Sequence, residues 1–154
     1  MSDNRLQTTR SVQLYRDGAV KFWVSGRPAP QGSKRHVGGG RMIEMSKAVG
    51  PWREAVRGEG QRLFTRPLAG PVRVTVEFHL TAPKTVRRAA PSVRPDLDKL
   101  LRAVLDGLAM AGAFADDAQV TEISARKVYG PAPGAWITVA PADARANAPE
   151  GELA

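Results

Sequence analysis

The stretch from Arg94 to Leu108 constrains the fold most, because a proline there is followed by a clear helical pattern. Pro95 fixes its own backbone angle φ and favours an extended conformation for Arg94, so the chain arrives straight and then turns into a helix. Gly112 is suited to end this helix, since glycine readily adopts left-handed backbone angles. Apolar residues recur with the spacing of one buried helix face, and they are Leu97, Leu100, Leu101, Val104, Leu105 and Leu108.

Other apolar patterns predict strands and a second helix. Residues 72–80 alternate apolar and polar side chains, which is typical of a strand with one buried face. Asp17-Gly18 lies between two short apolar runs and predicts a hairpin. The second helix is predicted over Ser46–Phe64, with Pro51 in its first turn. The predicted strands are Val12–Tyr15, Ala19–Val24, Val72–Leu80, Val120–Val128 and Trp136–Val139.

This order of elements predicts a single α+β domain, a mixed β-sheet with two helices packed on it. The chain has 154 residues, a length that suits one domain with a sizeable core. We expect the domain to occupy residues 12–139. Residues 1–11 are polar and are expected to be flexible, and residues 140–154 are rich in alanine, proline and acids and are expected to be disordered.

Composition excludes several classes of protein. The chain has no cysteine, so neither a disulfide framework nor a thiolate metal site can form. Its two histidines, His36 and His79, lie far apart in sequence and do not suggest a zinc centre. No apolar run approaches the length of a membrane span, and the N-terminus lacks the apolar core of a signal peptide. We therefore expect an intracellular, cytoplasmic protein without membrane contact.

Positive charge is concentrated in the first part of the chain. The net charge is +8 and the sequence pI is about 10.6. Residues 1–69 contain 13 Lys and Arg against 5 Asp and Glu, whereas residues 70–154 contain 10 of each. Two loops at 25–41 and 82–94 combine prolines or glycines with cations. This distribution fits a polyanionic partner such as nucleic acid, although excess charge can also serve solubility alone.

Four aspartates stand out because of where they fall. Asp96 and Asp98 enter the helix that follows Pro95, and Asp116 and Asp117 follow its return loop. Helix capping and turn formation explain one such side chain, but they explain the group poorly. Neighbouring carboxylates repel each other unless a cation lies between them, and Mg²⁺ prefers oxygen ligands. The residues therefore indicate a divalent-metal site, with capping as the alternative for Asp96.

With these aspartate motifs, the chain resembles the RusA family of Holliday-junction resolvases. The resemblance spans roughly residues 20 to 130, and it is most specific in the paired Asp-x-Asp and Asp-Asp-x-Gln motifs. The matching segments are Gly26-Arg-Pro-Ala-Pro-Gln-Gly-Ser-Lys-Arg, Trp52-Arg53, Arg94-Pro-Asp-Leu-Asp-Lys-Leu, Leu105-Asp-Gly-Leu, Ala111-Gly112 and Asp116-Asp-Ala-Gln-Val.

The resemblance implies a small homodimeric α+β endonuclease that cuts four-way DNA junctions in recombination and repair. It implies a requirement for Mg²⁺, for which Mn²⁺ can substitute, and a bacterial or phage origin. The family's metal-binding acids fall on Asp96, Asp98 and Asp117, and its catalytic lysine position falls on Arg102. An asparagine common in the family is Lys99 here, so either Arg102 or Lys99 is expected to supply the catalytic cation.

The remaining expectations concern the role of Asp116, the residues that contact DNA and two other possible functions. Asp116 is expected to shape the turn or to support the metal ligands from outside the coordination sphere. Another metal-dependent nuclease, acting on flaps, forks or RNA, is a second interpretation. A non-catalytic basic nucleic-acid-binding protein is a third. The residues expected to contact DNA are Lys34, Arg35, Arg87, Arg88, Arg94 and Lys99.

Overall fold

The computed structural model describes residues 5–32 and 38–142. Six strands and two helices are described, together with a short 3-10 turn at Asp117–Gln119. The elements in chain order are β1 (Arg5–Thr8), β2 (Val12–Tyr15), β3 (Val20–Ser25), α1 (Gly38–Leu63), β4 (Val72–Leu80), α2 (Leu97–Met110), β5 (Val120–Tyr129) and β6 (Gly134–Pro141).

The strands form one mixed sheet in the order β1-β2-β3-β6-β4-β5. β4 and β5 are parallel, and the other neighbouring strands are antiparallel. A parallel pair needs a crossover connection, and α2 lies within that connection. β6 is the last strand in sequence, yet it lies between β3 and β4. The predicted α+β class with a mixed sheet and two helices is confirmed.

The core lies between the sheet and the two helices. α1 packs on α2 and contacts β3, while α2 contacts β5. The helices approach each other closely at Gly107, where a Cβ would lie 2.8 Å from Val56 Cγ1 and 3.1 Å from the carbonyl oxygen of Arg53. The largest fully buried side chains come from both helices, the sheet and the turn after α2, and they include Phe22, Trp52, Val56, Phe78, Leu100, Leu108, Phe114 and Ile137.

The first helix is longer than the sequence predicts. It begins at Gly38, so the glycines at 38–40 belong to a helix and not to the predicted loop. Pro51 lies inside the helix and not in its first turn. Proline favours a helix start, but the burial of Trp52 and Val56 in the core stabilises the helix across this position. Lys34 and Arg35, which were expected to contact DNA, lie outside the described residues.

The sheet includes residues on both sides of the predicted domain, residues 12–139. Arg5–Thr8 pairs antiparallel with β2, where the sequence predicts a flexible segment. β6 continues through Pro141, two residues past the predicted end of the last strand. Backbone pairing stabilises both extensions, and side-chain polarity does not reveal it. Residues 143–154 of the predicted tail lie outside the described residues.

The predicted hairpin is present between β2 and β3. Gly18 has a φ of +90°, and the Asp17 carboxylate accepts a hydrogen bond from the Ala19 backbone at 3.0 Å. Across the two described segments, no helix has both the length and the apolar character needed to cross a membrane.

Candidate active site

Asp96 lies at the N-cap position of α2, but its side chain does not cap the helix. Its backbone is extended, with φ −69° and ψ 136°, and the carboxylate makes no capping hydrogen bond. The Lys99 ammonium lies 3.4 Å from Asp96 Oδ2, and the Asp96 side chain is 52% exposed. Asp98 is exposed in the first turn of α2. Capping therefore does not account for the Asp96 carboxylate.

Lys127 fixes the start of α2 to the sheet. Its ammonium donates to the carbonyl oxygens of Val93 and Pro95, both at 2.7 Å. No role for Lys127 is predicted from the sequence. The sequence carries no signal for it, because its partners are backbone carbonyl oxygens. The residue just before Asp96 is therefore held over the second half of β5.

Asp116 shapes the turn that leads into β5. Its Oδ1 accepts a hydrogen bond from the Ala118 backbone at 2.8 Å, and this bond, together with one from Asp117, lowers the pKa of Asp116. Gln119 completes the cap by accepting from the Asp116 backbone at 3.2 Å. The Gln119 amide also donates to the carbonyl oxygens of Leu68 and Gly70, at 2.8 and 2.9 Å. The turn that holds Asp117 is thus attached near the start of β4.

The two acidic segments lie at opposite ends of the β4–β5 pair. Asp117 precedes Val120, which pairs with Val72 at the start of β4. The start of α2 lies over Lys127, and at the usual strand rise Val120 and Lys127 are about 23 Å apart. Within 5–32 and 38–142, no three Asp, Glu or His side chains lie close enough together to hold a metal ion.

The predicted ligands are therefore of the right chemical type for Mg²⁺, but within one chain they lie too far apart to bind the same ion. Exposed carboxylates are the right ligands for a hard cation. However, Asp96, Asp98 and Asp117 do not converge in a single copy of the described residues. The sequence left open whether the chain after α2 turns back toward the start of the helix, and the pairing of Val120 with Val72 shows that it does not. Their assignment as metal ligands stays a prediction.

A basic surface adjoins the start of α2. Arg87, Arg88, Arg94 and Arg102 are all exposed. Arg88 Nε donates to the Tyr129 hydroxyl at 3.0 Å, so the loop before α2 is attached to the end of β5. A cleft of about 930 Å³ lies beside this loop, and its lining includes Arg88, Arg94 and Pro95. Two of the predicted basic residues of this loop, Arg88 and Arg94, thus line a cleft together with Pro95, the residue before Asp96.

Arg102 and Lys99 occupy different positions around α2. Arg102 lies four residues after Asp98, which places both on one side of the helix, and both are exposed. Lys99 is half-buried, and its ammonium lies nearest the Asp96 carboxylate. The backbone carbonyl of Lys99 accepts a hydrogen bond from the Gln31 backbone at 3.1 Å. The two candidate cations are therefore placed beside different acids.

Comparison with known proteins supports the resemblance seen in the sequence. The family model described as Endodeoxyribonuclease RusA matches residues 25–140, which include the basic loop, both acidic segments and every strand from β4 to β6. No curated protein gives a significant match to the chain. Because the family match covers most of the chain and includes both acidic motifs, the chain belongs to the RusA family of endodeoxyribonucleases.

Proposed function

We propose that this protein is a Mg²⁺-dependent endonuclease that cuts four-way DNA junctions by phosphodiester hydrolysis. The observation that carries the proposal is the RusA match over residues 25–140, within which the basic loop leads directly into Asp96. The substrate is branched DNA, and the cellular setting is DNA recombination and repair. Mn²⁺ is expected to substitute for Mg²⁺, since both ions accept carboxylate ligands.

The charges around α2 support a DNA substrate. A phosphodiester backbone is a polyanion, and exposed arginines bind phosphates without reading sequence. Arg87, Arg88 and Arg94 are exposed on the chain that enters α2. They would steer a DNA strand toward the acids at the helix start. Lys99 pairs with Asp96 in the free protein at 3.4 Å, and it would lie close to any phosphate that reached that carboxylate.

We assign charge stabilisation during cleavage to Arg102. Negative charge develops on the phosphate oxygens in the transition state, and a fixed cation lowers its energy. Arginine is a poor proton donor because its guanidinium stays protonated in proteins, so Arg102 would act by charge and by hydrogen bonds alone. Water or Lys99 would then protonate the leaving oxygen. This division of roles distinguishes the chain from relatives with lysine at this position.

The deciding experiment compares three nucleic acids. Purified protein is incubated with a labelled four-way junction, a linear duplex of the same sequence and an RNA hairpin, each with Mg²⁺ or with EDTA. We expect cleavage of the junction alone, and only with Mg²⁺. Cleavage of the duplex or RNA at equal rates would indicate a less selective metal-dependent nuclease. Junction binding without cleavage of any substrate would indicate a non-catalytic binding protein.

A further inference from the structure

The cleft beside the loop before α2 has mostly apolar walls. Its volume is about 930 Å³, and it lies where β3, β4 and β5 end, because Ser25, Leu80 and Tyr129 are among its lining residues. Trp52 of α1 and seven prolines also line it. A cavity of this size is typical of small-molecule sites, which bury a ligand among apolar and aromatic side chains.

The charged side chains that line this cleft are all cations. They are Arg27, Arg88 and Arg94, and each of them is exposed. No Asp or Glu is among the described residues of the lining. Arginine binds phosphate groups and stacks on flat rings. Apolar walls with arginines beside them therefore suit a ligand that has a flat ring and an attached anion, and a nucleotide has both.

Trp52 adds an unpaired hydrogen-bond donor to the same wall. Its side chain is 2% exposed, and its indole Nε1 makes no hydrogen bond within the described residues. A buried donor without a partner costs free energy, and buried indole N–H groups usually have a partner. The edges of all four DNA bases carry nitrogen or oxygen acceptors. A base seated against Trp52 would therefore offer this donor an acceptor.

The position of the cleft connects it to DNA and not to a free metabolite. Pro95 is part of the lining and directly precedes Asp96, and Arg94 belongs both to the lining and to the basic loop. A strand steered toward Asp96 by these arginines passes beside the cleft. At the branch point of a four-way junction the continuous stacking of a duplex is interrupted. Extruding a base costs least where pairing or stacking is already lost.

We propose that the cleft takes one unstacked nucleobase from the branch point of a DNA junction. The base lies against Trp52 and Tyr129, while Arg27, Arg88 and Arg94 contact the neighbouring phosphates. A linear duplex must break its own stacking to supply such a base, so this capture favours branched DNA over linear DNA. The inference rests on the proposed function, and it names the part of the substrate that gives the protein its structural selectivity.

Photo-cross-linking locates the base without nuclease activity. One 5-iodouracil is placed either at a branch-point position of a four-way junction or in the middle of an arm, and the complex is irradiated in EDTA. Iodouracil couples to aromatic side chains that it contacts. The branch-point probe should couple to Trp52 or Tyr129, as mapped by mass spectrometry of peptides, and the arm probe should couple far less. No coupling to the cleft, or equal coupling of both probes, would overturn base capture.

Filling the cleft tests its contribution to junction selectivity. Ala48 is an exposed residue of α1 that lines the cleft, so Ala48→Leu adds volume there without changing the buried core. Junction affinity should fall by about ten-fold, a typical effect of losing one base stack, while duplex affinity stays the same. Ala90→Leu, at an exposed position of the basic loop outside the lining, is the matched control and should bind junctions like wild type. Wild-type junction affinity for Ala48→Leu, or an equal loss in both variants, would overturn the inference.

A free nucleotide distinguishes the two sources of a base. The 5′-monophosphate of 5-iodo-2′-deoxyuridine, at the concentration used for the junction, should not couple to Trp52 or Tyr129, because it lacks the neighbouring phosphates. Equal coupling would indicate a site for free nucleotides and would overturn base capture from DNA. If the branch-point probe couples to the cleft but wild type does not cut junctions with Mg²⁺, the proposed function fails and base capture stands. If wild type cuts junctions but the probe couples elsewhere, base capture alone is wrong.

Discussion

The ammonium nitrogen of Lys127 lies 2.7 Å from the carbonyl oxygen of Pro95, so β5 holds the residue that directly precedes Asp96. Lys127→Met keeps the aliphatic stem and removes this bond and the one to Val93. We expect a loss of about 1 to 3 kcal/mol in the free energy of unfolding, since charged hydrogen bonds are replaced by unpaired carbonyls. Junction cleavage should also slow. Urea denaturation measures the free energy of unfolding, and junction assays measure the cleavage rate. Lys84→Met, at an exposed lysine, is the control. If Lys127→Met left both quantities equal to those of wild type, Lys127 would not hold the start of α2.

Replacing the predicted metal ligands should separate binding from cleavage. Asn retains the shape of Asp but lacks its charge, so Asp96→Asn, Asp98→Asn and Asp117→Asn should each abolish junction cleavage while gel-shift binding survives. Asp116→Asn should have a smaller effect, because Asn also accepts the hydrogen bond that caps the turn. Full cleavage by any one of the first three variants would remove that residue from the site.

The basic loop before α2 should increase the affinity for DNA of any structure or base sequence, because phosphate contacts do not distinguish them. Arg87→Ala/Arg88→Ala should weaken binding to junctions and duplexes alike, because both residues are exposed cations. Each lost phosphate contact should reduce the slope of log affinity against log salt by about 0.9. Tyr129→Phe is a matched control that removes the hydrogen bond to Arg88 but leaves its charge. A slope equal to that of wild type would place the loop away from DNA.

Arg102 and Lys99 can be distinguished by substitution. Arg102→Ala should lower the cleavage rate by on the order of 10²-fold, the usual effect of losing one charge-stabilising group. Arg102→Lys should keep or raise the rate, since lysine keeps the positive charge and adds a transferable proton. Single-turnover rates with prebound junction make the comparison. If Lys99→Ala eliminates cleavage and Arg102→Ala resembles wild type, then Lys99 is the catalytic cation.

Glu77 should make stability depend on pH in acid. The Arg126 guanidinium donates a hydrogen bond to it, and this bond holds the pKa of Glu77 below its ordinary value of 4.5. Its contribution is therefore fully present above about pH 4.5 and is lost as the pH falls through the lower folded-state pKa. Urea denaturation from pH 7 to 3 should show that Glu77→Gln is less stable than wild type at neutral pH. A difference independent of pH would contradict this assignment.

Helices and strands that have a clear apolar periodicity of their own were predicted from the sequence. β4 has the predicted bounds Val72–Leu80, and α2 buries Leu100, Val104 and Leu108 as the helical periodicity predicts. β1 was missed, because its pairing with β2 stabilises it and local propensity does not. The start of α1 was predicted at Ser46, whereas the helix begins at Gly38.

The candidate site was predictable only in part, for a related reason. Composition and spacing pointed to the start of α2 and to the turn before β5. The helix between them separates the two segments by about 20 Å unless the chain turns back after it, and only the pairing of Val120 with Val72 shows that the chain does not turn back. Lys127 was missed because its partners are backbone carbonyls, and these have no signature in sequence.

The position of β6 has a consequence for how the protein is made. β6 is hydrogen-bonded to β3 on one side and to β4 on the other, so it joins the β1-β2-β3 meander to the β4–β5 pair. It is also the last strand to leave the ribosome. The growing chain therefore holds two unconnected pieces of sheet, and long-range pairing must wait for residues 134–141. A nuclease built in this order cannot complete its fold before almost the whole domain has been synthesised.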